Sequence, residues 1–280
     1  MQTLVRLPYF RIGKLHTDTV HHRANLASVV HAFLQKAAKQ LAAHVLKQAK
    51  VHKGAKDDVL RGLDDIKWED LALDATKDIT NIATEYAKRG LTQLGINDAD
   101  LMATVNEVAR DWAKQRAAEM VGMKYDDEGN LVENPDAKWS IAETTRDDIQ
   151  ELVTEAFEEH TSLKELSQQI LDATTFSRYR ANMVATTEAS NAQAQGSITA
   201  WQASGVVEEV SVMLSYDHEG EDECDEVVDG GPYPLTEVLG LVPIHPNCEC
   251  TVIATKVKGG FEIKVSRRVG KFWYAQEQAA

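Results

Sequence analysis

The sequence predicts an α+β fold that is predominantly α-helical, with a small irregular β region near the C-terminus. Three observations carry this. Apolar residues recur at helical spacing through most of the first 200 positions, the punctuation between those stretches is Gly, Asn and Ser, and only after Gly205 does the pattern change to β-branched residues. A composition with 43% hydrophobic and 26% charged residues supplies a sizeable core and is far from that of a disordered chain.

Taken in order, residues 1–22 hold Pro8, Gly13 and three histidines without helical period and read as an extended N-terminal arm. Residues 23–123 read as an α-helical region. Its first helix runs from Arg23 to about His52 on the stripe Leu26, Val29, Val30, Phe33, Leu34, Ala37, Ala38, Leu41, Val45 and Leu46, with Gly54 as its stop. A second spans Trp68 to Leu94 and closes at Gly95 in a C′ position. A third, capped by Asn97, passes through Leu101, Val105, Val108, Trp112 and Met120 to Gly122. Residues 124–139 are too rich in turn formers for helix and read as a linker or short hairpin, where a domain boundary is expected.

The next domain is expected over 140–255. Ser140 with Glu143 and Ser162 with Glu165 have capping-box spacing, each opening a helix. A long helix follows from Phe176 to Ser204. Val206 to Tyr216 then reads as strand, and the rest to about Val257 as loop and short strand. Residues 256–280 form a basic C-terminal tail, with six basic residues against two acidic ones. The whole chain carries −14, so the remainder carries −18. This balance excludes a sequence-independent DNA coat and leaves only weak, salt-sensitive DNA contact to the tail. A solvated strand pair burying Phe261, Ile263, Val265 and Val269 is the commoner reading of the tail. No apolar run approaches the roughly 18 residues of a membrane span, so no membrane partner is expected. The start lacks a secretory h-region, which places synthesis and first folding in the cytosol.

All three cysteines fall in the last quarter. Cys224, Cys248 and Cys250 with His245 offer three thiolates and an imidazole, the number and softness that a tetrahedral zinc ion takes. A Cys-x-Cys spacing in a regular strand points its sulfurs to opposite faces, so the site needs a turn, which Pro246 and Asn247 can supply. The same residues also read as a reduced, packed cysteine group, and both readings stay open. Eight carboxylates crowd the segment between Asp217 and Asp229, most simply as a solvated loop. Their spacing does not match a calcium loop. Thr186, Thr187 and Glu188 lie in the long helix, where a surface glutamate is the expectation. Arg178 and Arg180 near its start are ambiguous.

An ordered series runs through this region: Trp139-Ser-Ile-Ala-Glu-Thr-Thr-Arg146, Ser162-Leu-Lys-Glu-Leu166, Arg180-Ala-Asn-Met-Val-Ala-Thr-Thr-Glu188, Gly196, Trp201, Gly205, Asp217, Cys224, Asp229-Gly230 and His245-Pro-Asn-Cys-Glu-Cys250. Together with the loop Gly129 to Pro135, the stretch from about Trp139 to Thr255 resembles the phage Mu protein F-like family of minor head, or head morphogenesis, proteins. The resemblance covers about two fifths of the chain. Three positions depart from it. Thr186 and Glu249 stand where the family has arginine, and a single Cys224 stands where many members have a Cys-x-x-Cys pair; His218 or Asp222 is near enough in sequence to complete a site.

The resemblance implies a structural component of the virion head, present in the host cytoplasm during assembly, that associates with portal protein, major capsid protein or scaffold. It implies no catalysis and no required cofactor beyond a candidate structural zinc. Helices 23–52 and 68–94 would make the contacts, and the acidic balance would keep the protein off the packaged genome. Two other readings are carried. One is a metal-dependent nuclease or nucleotide-modifying effector using the acidic loop, His218, His245 and the cysteines; the other is a DNA-ejection cofactor acting through the tail.

Overall fold

The computed structural model describes residues 4–5, 17–50, 55–215, 218, 221–259, 262–269 and 272–278, with 4–5, 17–18, 262–269 and 272–278 described by backbone alone. The α+β expectation holds: helix dominates, and an antiparallel sheet lies near the C-terminus. No helix among the described residues is long and apolar enough to cross a membrane.

Helix α1 spans Thr17–Lys50 and so starts inside the expected arm. Thr19 is fully buried there, and tertiary burial outweighs the modest helix propensity of the Thr and His residues around it. The buried stripe is Leu26, Val30, Leu34, Ala37, Ala38, Leu41 and Val45; Leu46, expected on it, is exposed. Gly54 lies outside the described residues. A short helix α2 (Lys56–Leu60) and a 3₁₀ turn follow, neither of which the sequence reading anticipated. Val59 and Leu63 anchor them in the core, and Gly62 lets the turn pack close to α1, where a Cβ would lie 2.8 Å from Leu41 Cδ1.

Helix α3 spans Trp68–Gln93. Gly95 ends it as expected: at φ 73° it lets Ile96 N–H donate to the Leu91 carbonyl (3.0 Å) and its own N–H to Thr92 (3.0 Å), a Schellman closure. Helix α4 spans Ala99–Glu119, and its cap is Asp98 rather than the expected Asn97, with Oδ1 accepting from the N–H groups of Asp100 and Leu101 at 2.9 Å. Its buried stripe is Val105, Ala109, Ala113 and Ala117, whereas Val108 is exposed. Strands β2 (Met123–Tyr125) and β3 (Leu131–Glu133) pair as a hairpin. Asp126 holds its turn by accepting from Glu128 N–H and Asn130 N–H, which draws its carboxyl below the usual range.

Helices α5 (Ile141–Glu158) and α6 (Leu163–Asp172) carry the expected caps. Ser140 accepts from Glu143 N–H, and Ser162 with Glu165 forms the full reciprocal box. A 3₁₀ turn at Thr174–Phe176 delays the long helix α7 to Arg178–Ser204, and Gly205 follows at φ 66°. The sheet is ordered β1-β8-β7-β6-β4-β5, built from β1 (Leu4–Val5), β4 (Val207–Met213), β5 (Tyr233–Pro234), β6 (Thr251–Val257), β7 (Glu262–Val269) and β8 (Phe272–Gln278). The expected strand pair in the tail is β7 with β8. Side-chain burial at Phe261, Ile263, Val265 and Val269 lies outside the described residues.

The chain divides into two compact units that interleave in sequence. One comprises residues 1–23, 79–113 and 186–280; the other comprises 24–78 and 114–185, and so contains the hairpin where a boundary was expected. In the first unit, Ile198 and Trp201 of α7 pack with Val210, Val212 and Met213 of β4, Ile253 of β6, and Val238 and Val242 of the intervening loops. α7 approaches α3 closely here, since a Cβ on Gly196 would lie 2.2 Å from the Ala83 carbonyl oxygen.

Candidate metal centre

The three cysteines belong to that same apolar cluster of the first unit. Cys224 sits in the first turn of α8 (Glu223–Asp229), a helix inside the acidic run that was expected to be loop. Asp222 caps it, accepting from Cys224 N–H at 2.7 Å, and Asp225 closes the box by accepting from Asp222 N–H at 3.1 Å. Two of the eight carboxylates are therefore structural; Asp217 and Glu219 lie outside the described residues.

Cys248 and Cys250 lie just before β6. Asn247 takes a left-handed conformation, φ 67°, and Cys248 N–H donates to the His245 carbonyl at 3.1 Å, so the chain turns instead of extending. That turn removes the alternation of a strand. All three sulfurs face inward, each cysteine is at most 2% exposed, and their Sγ atoms lie within 4.8 Å of one another. Cys224 Sγ is 3.9 Å from Cys248 Sγ and 3.2 Å from His245 Nε2. Glu249, between the two cysteines, points the other way and pairs with Arg23 at 2.6 Å. The structure thus brings together Cys224, Cys248 and Cys250, and this buried cysteine cluster could hold a metal ion; His245 adjoins it through Cys224 and is not part of the set whose ligand atoms all lie within 4.8 Å.

The tautomer of His245 suits this. Its Nδ1 lies 2.8 Å from the Pro246 carbonyl, which can only accept, so Nδ1 carries a proton there and Nε2 is the ring nitrogen that faces Cys224 Sγ. The thiols are electrostatically unequal. A hydrogen bond from Cys250 draws Cys248 down to about 5 despite its burial. The same bond, with burial and the Cys248 charge, pushes Cys250 up, and burial pushes Cys224 up as well. One thiolate forms readily and blocks the next two unless a cation arrives.

Helix α7 braces the loop. Thr187 Oγ1 accepts from Asn247 N–H at 2.8 Å, Ser190 Oγ donates to the Cys250 carbonyl at 3.3 Å, and Gln193 Nε2 donates to Thr251 Oγ1 at 2.5 Å. These anchors were missed in the sequence; the available signal was polar residues at i, i+3 and i+6 in an alanine-rich helix. Glu188 is 3% exposed, which corrects the surface-glutamate expectation.

Arg180 and Arg178 separate in the second unit. Arg178 is exposed; Arg180 is buried, with Nη1 donating to Thr145 Oγ1 (2.9 Å), the Thr175 carbonyl (3.1 Å) and Thr175 Oγ1, and Nη2 to Thr144 Oγ1. Burial lowers its pKa, opposed by Asp148 at 3.8 Å. No family model matches this chain, and neither a curated protein nor a solved structure matches it.

Proposed function

We propose that this chain is a phage minor head protein: a non-enzymatic component of the virion head that joins portal protein, major capsid protein or scaffold during procapsid assembly. The observation that carries this reading is where the residues of the ordered series sit. Arg180 ties α7 to the Ser140–Thr145 turn, Thr187 and Ser190 brace the His245–Cys250 loop, Gly196 meets the α3 backbone and Trp201 fills the core. These are fold-building positions, as an architectural domain requires. The apolar stripe of α1 is inside the protein, which leaves partner contact to the outer flanks of α1 and α3, where Leu46 and Leu73 stand exposed.

The Cys224, His245, Cys248 and Cys250 set holds one structural zinc in this reading. With Zn–S near 2.3 Å, a tetrahedron sets sulfurs about 3.8 Å apart and sulfur to nitrogen about 3.6 Å apart. The separations of 3.9 and 3.2 Å are close to those edges. The three sulfurs, with the imidazole drawn in from beside Cys224, would complete the closed shell of structural rather than catalytic zinc. Bound there, zinc would staple α8 to the loop that α7 braces.

The test is co-expression with the neighbouring portal and capsid genes, followed by mass spectrometry and cryo-microscopy of purified heads. Incorporation at a fixed stoichiometry is expected. A folded protein that stays out of normally assembled heads overturns the proposal.

A further inference from the structure

We propose that His218, Asp222 and Cys224 form a second divalent-cation position beside the three-sulfur site, with the Cys224 thiolate shared between the two metals. Two ligand trios overlap in the first unit. The sulfurs of Cys224, Cys248 and Cys250 make one, and the ligand atoms of His218, Asp222 and Cys224 make the other; each trio lies within 4.8 Å, and Cys224 is the residue common to both.

Two features assign a cation to the second trio rather than to a solvated acidic turn. The His218 side chain is only 9% exposed, and its Nε2 lies 3.0 Å from Asp225 Oδ2 and 3.8 Å from Asp222 Oδ1, so a buried imidazole meets two carboxylates. Charge gives the second feature. Three thiolates around one zinc leave a net −1, Asp222 and Asp225 add −2, and a second dication reduces the local −3 to −1. One sulfur, one nitrogen and one carboxylate oxygen suit a borderline ion such as zinc, not calcium or magnesium.

The inference rests on the three-sulfur site of the proposed function, and the test separates the two. The full chain is stripped of metal, then titrated with Zn(II) and with Co(II), and metal per chain is counted by native mass spectrometry while the cobalt spectrum is followed. His218→Gln removes a ligand, and Asp222→Asn removes the charge while keeping an oxygen that caps α8. Two ions per wild-type chain are expected, and one in each variant, with the thiolate-to-cobalt band retained. One ion in wild type and both variants overturns the second position and leaves the first standing. Two ions in all three also overturns it. No metal in wild type sinks both.

Discussion

Arg180 and the cysteine cluster are two buried polar centres, one in each compact unit, and they are satisfied in opposite ways. Arg180 brings a fixed positive charge and finds neutral oxygens of Thr144, Thr145 and Thr175 waiting for it. It is complete with protein atoms alone. Cys224, Cys248 and Cys250 bring thiols that hydrogen-bond weakly to one another and resist ionising together. Their arrangement becomes favourable when a cation supplies the missing charge. One centre is therefore a rivet made at folding, and the other is a socket whose contribution depends on what enters it.

The largest expected effect is the metal itself. With free zinc a thousandfold above its dissociation constant, linkage adds about 4 kcal/mol to unfolding. Differential scanning with and without a chelator should show that increment, and Cys250→Ser should abolish it. Hydrogen exchange at 141–148, around Arg180, should not respond to chelation. Equal loss of protection in both places would break the distinction between the two centres.

Next in size is pH. At neutral pH Cys248 is already ionised, near 5, while Cys224 and Cys250 keep their protons. Filling the three-sulfur site must release those two protons, so affinity should rise by about 100-fold per pH unit, or about 2.7 kcal/mol, through neutrality and fall as pH drops. Calorimetry in buffers of different ionisation enthalpy counts the protons. A pH-independent affinity would mean that the sulfurs are not the ligands.

Arg180→Met tests the rivet. It relieves a buried charge but strands the Thr144, Thr145 and Thr175 oxygens, for a loss of about 2 kcal/mol in urea unfolding. The loss should be the same with or without zinc. A metal-dependent loss would show that the two centres are energetically coupled.

How much of each centre could be read from sequence follows from the range of the contacts. The helices of both units announce themselves locally, through the α1 stripe, the Gly95 closure and the Ser162–Glu165 box. Local signals failed where alanines carry the burial, as at Ala109, Ala113 and Ala117, and where α2 is held by Val59 against the core rather than by its own propensity. The cysteine cluster was legible as a candidate metal site because donor chemistry is written in residue type, and the turn at Asn247 because that residue tolerates φ > 0. α8 was not: its Asp222-x-x-Asp225 box was masked by a run of carboxylates that reads as loop. Nor was the bracing by Thr187 and Ser190, about 60 positions from the loop they hold, since hydrogen bonds of that range leave no local pattern.

The smallest effect is the most discriminating. Arg23 Nη1 and Glu249 Oε1 pair at 2.6 Å, each side chain about one third exposed, in the position where the resembling family has arginine. Exposed pairs of this kind contribute about 1 kcal/mol or less, because holding two long side chains in register costs entropy and salt screens the attraction. Glu249→Arg should therefore cost under about 1 kcal/mol, and Arg23→Glu in the same chain should restore most of it. The double-mutant cycle is then run twice, with zinc and with chelator. Glu249 lies between Cys248 and Cys250, so a metal that fixes both sulfurs has already ordered the backbone bearing the carboxylate. The coupling should be measurable with zinc and fall toward zero without it. An equal coupling in both states would mean that the turn at Asn247 and the α7 braces order the loop unaided, and that the socket is as rigid as the rivet before anything binds.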